Sequence, residues 1–198
     1  MKNILTAVFV TIIALASNSF AQSPNHSETT VFNYADAAEI EGTYSQLIRS
    51  ENTIAVELKT SGLMPREPYT IWWVIFNEPT ACSEACDGDD IFAADGSMSL
   101  NEMAEISILF ADGAMSDADG NGNFSAVLTE DRPFGQVLAG PGLTDTQNAE
   151  VHLVVRHHGD LIPELAYEQL SLGSACSDCY KQDVQFAVHQ APAALADN

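Results

Sequence analysis

Basic residues are scarce in this chain. Lys and Arg number 7 in 198 residues, against 28 Asp and Glu, so the formal net charge is −21. Nucleic acids and anionic membrane surfaces are bound by clustered Lys and Arg. The composition therefore argues against both partners. It favours solubility in a saline exterior, or a cationic partner such as Ca²⁺ or a basic polymer.

Long apolar runs are missing beyond the first residues. Residues 4–16 are apolar and follow Lys2, and Ser19 and Ala21 are the small residues that a signal peptidase reads. The apolar run is short for a membrane span. We interpret residues 1–21 as a cleaved signal peptide, which predicts a periplasmic or secreted protein with no membrane anchor after cleavage.

The common local motifs of catalysis are also missing. The sequence contains no Gly-x-Ser-x-Gly nucleophile elbow, no His-Glu-x-x-His zinc helix and no phosphate-binding glycine loop. Carboxylates are so numerous that a pair of them identifies no site. We therefore assign no catalytic residue and favour a non-catalytic protein.

Four cysteines form two close pairs, Cys82 with Cys86 and Cys176 with Cys179. An even number in an exported chain predicts disulfides, and three pairings are possible. We favour the two local pairs, because each pair lies in its own turn-rich loop. A redox Cys-x-x-Cys motif and a structural zinc site are the alternatives. A strand-like sequence after Cys179 argues against the first, and an oxidising compartment argues against the second.

Short alternating segments separated by turns make up the rest of the chain. Residues 53–59 alternate as in a half-buried strand, and residues 69–76 are apolar on both faces, which predicts a strand covered on both sides. Other strands are predicted from residue 44 onward and at 106–110, 124–128, 150–157 and 184–188, with short helices near 99–104 and 163–170. This pattern predicts an all-β fold, an antiparallel β-sandwich with one or two short helices in its loops.

The domain organisation follows from these segments. Residues 22–43 are predicted to be an N-terminal linker that leads into the domain, residues 44–190 the β-sandwich, and residues 191–198 a flexible tail. We found no internal repeat.

Histidines supply the candidate metal ligands. His152 and Glu150 share a face of one predicted strand, and His157 would approach His189 if their two strands pair. Imidazole and carboxylate are common ligands of divalent cations. A metal-binding protein or metalloenzyme built on these four residues is therefore our alternative function. The other interpretation is a strand that carries hydrogen-bonded histidines and an Arg156 paired with an acidic neighbour.

The turn around residue 120 resembles the first half of a calcium loop. Asp117, Asp119, Asn121 and Asn123 place oxygen ligands at alternate positions. The match ends there, because the twelfth position is Leu128 rather than Glu. A calcium-stabilised extracellular domain is a further alternative, and a plain hairpin turn explains the same residues.

Two adjacent tryptophans, Trp72 and Trp73, lie in the strand that is apolar on both faces. Neighbouring residues in a strand point to opposite faces, so we expect one of them in the core. The other is either covered by a second layer or part of a surface that binds a ligand by stacking.

Three segments, WWVIFNEP with the following cysteines, DADGNGNFSA and AEVHLVVRHHG, resemble a group of uncharacterised exported bacterial β-sandwich proteins over about residues 44–189. More distantly, the layout is similar to CHRD domains and to the copper/zinc superoxide dismutase sandwich. The resemblance implies the fold and carries over no catalytic residue. The chain lacks the His-x-His strand motif of the dismutases, so no dismutase activity is implied. We therefore predict an exported, disulfide-stabilised β-sandwich with a non-catalytic binding or envelope-associated role and an unknown extracellular ligand.

Overall fold

The computed structural model describes residues 25–82, 85–130, 137–171 and 181–192. The predicted signal peptide, the pair Cys176 and Cys179, and most of the predicted tail lie outside the described residues. No helix within these ranges is long and apolar enough to cross a membrane.

The described residues form ten strands and one short α-helix, α1. Several single turns of 3-10 helix lie in the connections, at Pro79–Ala81, Gly88–Asp90, Glu102–Ala104 and Pro163–Leu165. The elements are β1 His26–Thr29, β2 Phe32–Asn33, β3 Tyr44–Arg49, β4 Thr53–Thr60, β5 Pro68–Phe76, β6 Ile106–Met115, β7 Gly122–Thr129, β8 Val137–Ala139, β9 Glu150–His157, α1 Ala166–Ser171 and β10 Gln182–His189.

Two antiparallel sheets make up the fold, which confirms the predicted β-sandwich. One sheet has four strands in the order β1-β3-β4-β7, and the other has six in the order β2-β10-β9-β5-β6-β8. Strand β5 is central in the larger sheet and pairs with both β9 and β6. Neighbours in space are therefore often distant in sequence, as is usual for sandwiches with crossing connections.

The main core fills the space between the sheets. Strand β4 alternates as predicted, with Ile54, Val56 and Leu58 turned inward, and β9 supplies Val151, Leu153 and Val155. Trp73 is among the largest fully buried side chains of this core. Each such side chain contributes roughly 1.5–3 kcal/mol by leaving water.

Strand β5 is buried along all nine of its residues. Its inward side chains belong to the main core, and its outward side chains form a second apolar cluster with the loop that follows. The sequence prediction that this strand is covered on both faces is therefore confirmed. The outward side chains of β5 in that cluster are Trp72, Val74 and Phe76.

Polar side chains also connect the two sheets. His189 of β10 bonds to the hydroxyls of Ser27 and Ser45, at 2.9 and 2.8 Å. Arg49 of β3 is buried and donates to the carbonyl oxygens of Thr146 and Ala149. Its burial lowers the pKa of the guanidinium. These bonds satisfy polar groups that would otherwise be costly inside the sandwich.

The sandwich begins before residue 44. Within the segment expected to be a linker, β1 pairs with β3 over Ser27↔Leu47 and its neighbours, and β2 pairs with β10. The segment reads as polar because β1 is an edge strand with little buried surface. Its sheet partner lies further along the chain, and no local pattern encodes that pairing.

Two local predictions need correction. The helix expected at 99–104 is one 3-10 turn, Glu102–Ala104, capped by the side chain of Asn101 rather than by Ser99. The turn at residues 117–121 joins β6 to β7, which lie in different sheets, so it is not the turn of a paired hairpin. The short helix expected at 163–170 is present as a 3-10 turn continued by α1.

Candidate functional site

A loop that contains a disulfide bond covers part of the outer face of the six-stranded sheet. The predicted local pair is confirmed by the bond between Cys82 and Cys86, whose sulfurs are 2.04 Å apart. Asn101 ties the two ends of the loop together, because its amide donates to Ala81 O and to Asp90 Oδ1. We call residues 79–82 and 85–101 the roof.

The floor beneath the roof is set by strand register. Strands β5, β9 and β10 lie side by side, so residues that share a register position form rows across the sheet. Three successive rows point away from the main core. They are Val74, His152 and Val188; then Trp72, Val154 and Phe186; then Thr70, Arg156 and Asp183.

Two adjoining cavities lie between this floor and the roof. The larger has a volume of about 320 Å³, and the smaller has a volume of about 180 Å³. Both are lined by Tyr34, Val74, Ile91, Phe92 and Val154, so they lie side by side on the same face of the sheet. We call the two together the outer groove. Its lining is mainly apolar, as in most small-molecule sites.

Two pairs of polar side chains lie along the floor of the outer groove. Glu150 accepts a bond from His152 Nε2 at 2.7 Å. Arg156 donates from Nε and Nη2 to the two carboxylate oxygens of Asp183, at 2.6 and 3.1 Å. Its guanidinium also lies 5.6 Å from the ring centre of Trp72. These pairs keep polar groups satisfied without placing a free charge on the apolar floor.

The two tryptophans have different positions. Trp73 lies in the main core, while Trp72 lines the smaller cavity from below and is only 2% exposed. Its indole Nε1 donates to the Thr70 hydroxyl, which in turn bonds to His158 Nε2. Burial, with Arg156 nearby, lowers the pKa of His158 to about 4. Trp72 is thus a fixed part of the groove floor rather than an open stacking platform.

The histidines predicted as metal ligands do not come together. Strands β9 and β10 do pair, but the register puts His157 opposite Gln182 and His189 opposite Val151, at opposite ends. The suggested approach of His157 to His189 is therefore wrong. Among the residues that the structure describes, no group of three His, Cys, Asp or Glu side chains could hold a metal ion.

Each of these histidines lines a separate cavity. His152 lines the outer groove beside Glu150. His157 bonds to Glu67 and stacks on Tyr69, with 4.8 Å between ring centres. His189 is buried between the sheets. Of the four residues predicted as metal ligands, Glu150 and His152 are the two that lie together, and a metal site there stays a prediction.

The predicted calcium residues form a self-contained turn. Asp117 Oδ1 accepts from the backbone N–H of Asp119 and of Asn121, and Oδ2 accepts from the Asn121 side chain. The Asn121 amide is the main reason that the pKa of Asp117 is lowered. The carboxylate thus stabilises the turn by itself, and calcium binding at Asp117–Asn123 stays a prediction.

Sequence reasoning missed most of the groove. Tyr34 and Phe92 come from segments outside the predicted strands, and Phe186 was assigned only to the last strand. Two sequence patterns could have indicated the groove: the second apolar face of β5 and the alternation of β10. Together they predict that the outer face of the larger sheet is apolar. The expected partner of Arg156 is present and is Asp183.

Comparisons of this chain with protein-family models, with curated proteins and with solved structures found no match.

Proposed function

We propose that this protein is an exported, disulfide-stabilised binding protein without a catalytic role, and that its ligand site is the outer groove. The observation that supports this most strongly is the pair of adjoining, mainly apolar cavities between the roof and the outer face of the six-stranded sheet. A volume of about 320 Å³ for the larger cavity alone is within the usual range for small-molecule sites. The ligand is therefore a small molecule with an apolar body.

Export is supported by two features. The Cys82–Cys86 disulfide is typical of proteins in oxidising compartments. The first 21 residues have the composition of a signal peptide. A periplasmic or secreted location would give the groove access to small molecules outside the cytoplasm.

Binding is favoured over catalysis by the way in which the polar groups are used. The guanidinium of Arg156 is hydrogen-bonded to Asp183, and His152 is hydrogen-bonded to Glu150. Arg156 and His152 lie two rows apart on the floor. Acid–base catalysis requires polar groups that converge on one reacting atom. The groove instead presents an apolar surface between two hydrogen-bonded pairs of side chains.

The test is to fill the groove and measure binding of a small neutral probe. Val154 lines both cavities, so Val154→Phe would place a ring in the groove. We use neohexyl alcohol, which carries a tert-butyl group, and follow its binding by NMR. We expect the substitution to weaken binding by about tenfold, which corresponds to roughly 1.4 kcal/mol.

Val127→Phe is the matched control, because Val127 is 59% exposed on the outer face of the other sheet. It should leave the affinity unchanged. Melting curves of both variants check that each is folded. Equal affinity in the wild type and in a folded Val154→Phe variant would show that the groove is not the binding site.

A further inference from the structure

Three aromatic rings line the larger cavity of the outer groove. Tyr34 and Phe186 meet edge to face, with ring centres 6.1 Å apart and planes at 87°. Phe32 stacks behind Phe186 at 5.4 Å and supports it. Phe92 reaches the same cavity from the roof and remains 41% exposed. Ring faces carry partial negative charge, so a cavity bordered by several rings attracts a cation.

The charged residues around this cavity are mainly negative, which also favours a cation. Its lining includes Asp87, and none of the described residues that line it is Lys or Arg. Asp89 and Asp90 follow directly in the roof, and Glu150 bonds to the His152 that lines the floor. Arg156 lines the smaller cavity and is held by Asp183. Together with the net charge of −21, this arrangement favours a positively charged ligand and disfavours an anionic one.

An apolar cavity selects among cations. A primary ammonium or a metal ion would lose strong hydration on entering an apolar site, and the mainly apolar lining cannot replace that hydration. An alkylated ammonium carries its charge under methyl groups, which suit both an apolar surface and aromatic rings. Aromatic sites are a known means of recognising such groups.

We propose that the larger cavity of the outer groove binds an organic cation, a quaternary or tertiary ammonium group on a small apolar body. The proposal rests on the proposed function and adds the ligand class. Tyr34, Phe92 and Phe186 provide the aromatic lining, Asp87 provides the countercharge, and Val154 provides the apolar floor.

Three probes of nearly equal shape test it: choline, its neutral carbon isostere neohexyl alcohol, and the anion tert-butylacetate. Each is titrated into isotope-labelled protein, and binding is followed through the ring resonances of Tyr34, Phe92 and Phe186. We expect choline to bind about threefold to fivefold more tightly than the alcohol, and tert-butylacetate to bind most weakly. The preference for choline should decrease as salt is added.

A variant separates the contribution of the rings from that of apolar contact. Phe92→Leu keeps an apolar side chain on the exposed roof and removes the ring. It should lower choline affinity about threefold more than it lowers the affinity for the alcohol. Tyr167→Leu, which removes a 71% exposed ring outside the groove, is the control and should change neither.

The outcomes distinguish this inference from the proposed function. If the alcohol binds in the groove as tightly as choline, the ligand class is wrong and the binding site stands. If none of the three probes shifts the groove resonances, the proposed function itself is contradicted. Equal loss of choline and alcohol affinity in Phe92→Leu would also overturn the role of the ring.

Discussion

At the scale of single residues, the most informative side chain is His189. It is buried between the two sheets, and both of its ring nitrogens bond to serine hydroxyls rather than to a carboxylate. Burial, reinforced by the positive charge of Arg49, lowers its pKa to about 3. The residue therefore stabilises the sandwich as a neutral ring, and neither a metal nor a catalytic role is needed to explain its position.

A pH dependence of stability follows. The pKa of His189 is about 3 in the folded protein, against about 6.5 for an unperturbed histidine, so between these values the unfolded chain binds a proton that the folded chain does not. The contribution of the neutral His189 ring to the free energy of unfolding is therefore fully present above pH 6.5. It falls as the pH drops toward 3, with a slope of up to about 1.4 kcal/mol per pH unit.

Chemical denaturation at a series of pH values measures this slope. Carboxylates also titrate at acidic pH, so the comparison is between variants. His189→Gln should flatten the pH dependence, although it lowers stability at neutral pH. Val56→Ala, which removes no titratable group from the core, is the control: it should lower stability and leave the pH dependence unchanged. Equal slopes in wild type and His189→Gln would refute this assignment.

At the scale of elements, helix α1 reaches the sheet through one glycine. Gly113 of β6 is so close to the helix that an added Cβ would lie 1.7 Å from the backbone oxygen of Leu170. The end of α1 is thereby held against the β5–β6 pair. Gln169 of the same helix donates to the carbonyl oxygens of His158 and Asp160, which fixes the turn after β9.

Gly113→Ala should therefore displace α1 or strain β6. We expect the free energy of unfolding to fall by about 1–3 kcal/mol, as for other overpacking substitutions. Gly88→Ala is the matched control, because no atom lies within 4 Å of a Cβ at that position. Denaturant titration of both variants measures the difference. A Gly113→Ala protein as stable as the wild type would show that this helix contact is not tight.

Elements also show what could be read from the sequence. Strands β4, β5 and β9 were predictable because alternation, or its absence, is a local property of the chain. Register is not local. The register of β9 and β10 places His157 far from His189 and Arg156 beside Asp183. This register depends on which strands pair and on the position of the bulge at Asp183/Gln185.

At the scale of the whole molecule, two layers cover the central strand β5. The four-stranded sheet covers its inner face, and the roof covers its outer face. The sequence indicated that both faces are covered. It could not indicate that the second cover leaves a gap, because the gap depends on where the fold places Tyr34, which precedes β3, relative to Cys86 and Phe92 of the roof. The candidate site is therefore a property of the assembled fold.

The most direct test of this account is to locate a bound probe on the protein. The tert-butyl group of neohexyl alcohol gives one intense proton signal, and intermolecular nuclear Overhauser effects from it identify the side chains in contact. We predict contacts with Val154, Phe92 and Phe186 in the outer groove. Contacts confined to the cavity beside His157 and Tyr69, or to the exposed Val127 face, would contradict the account.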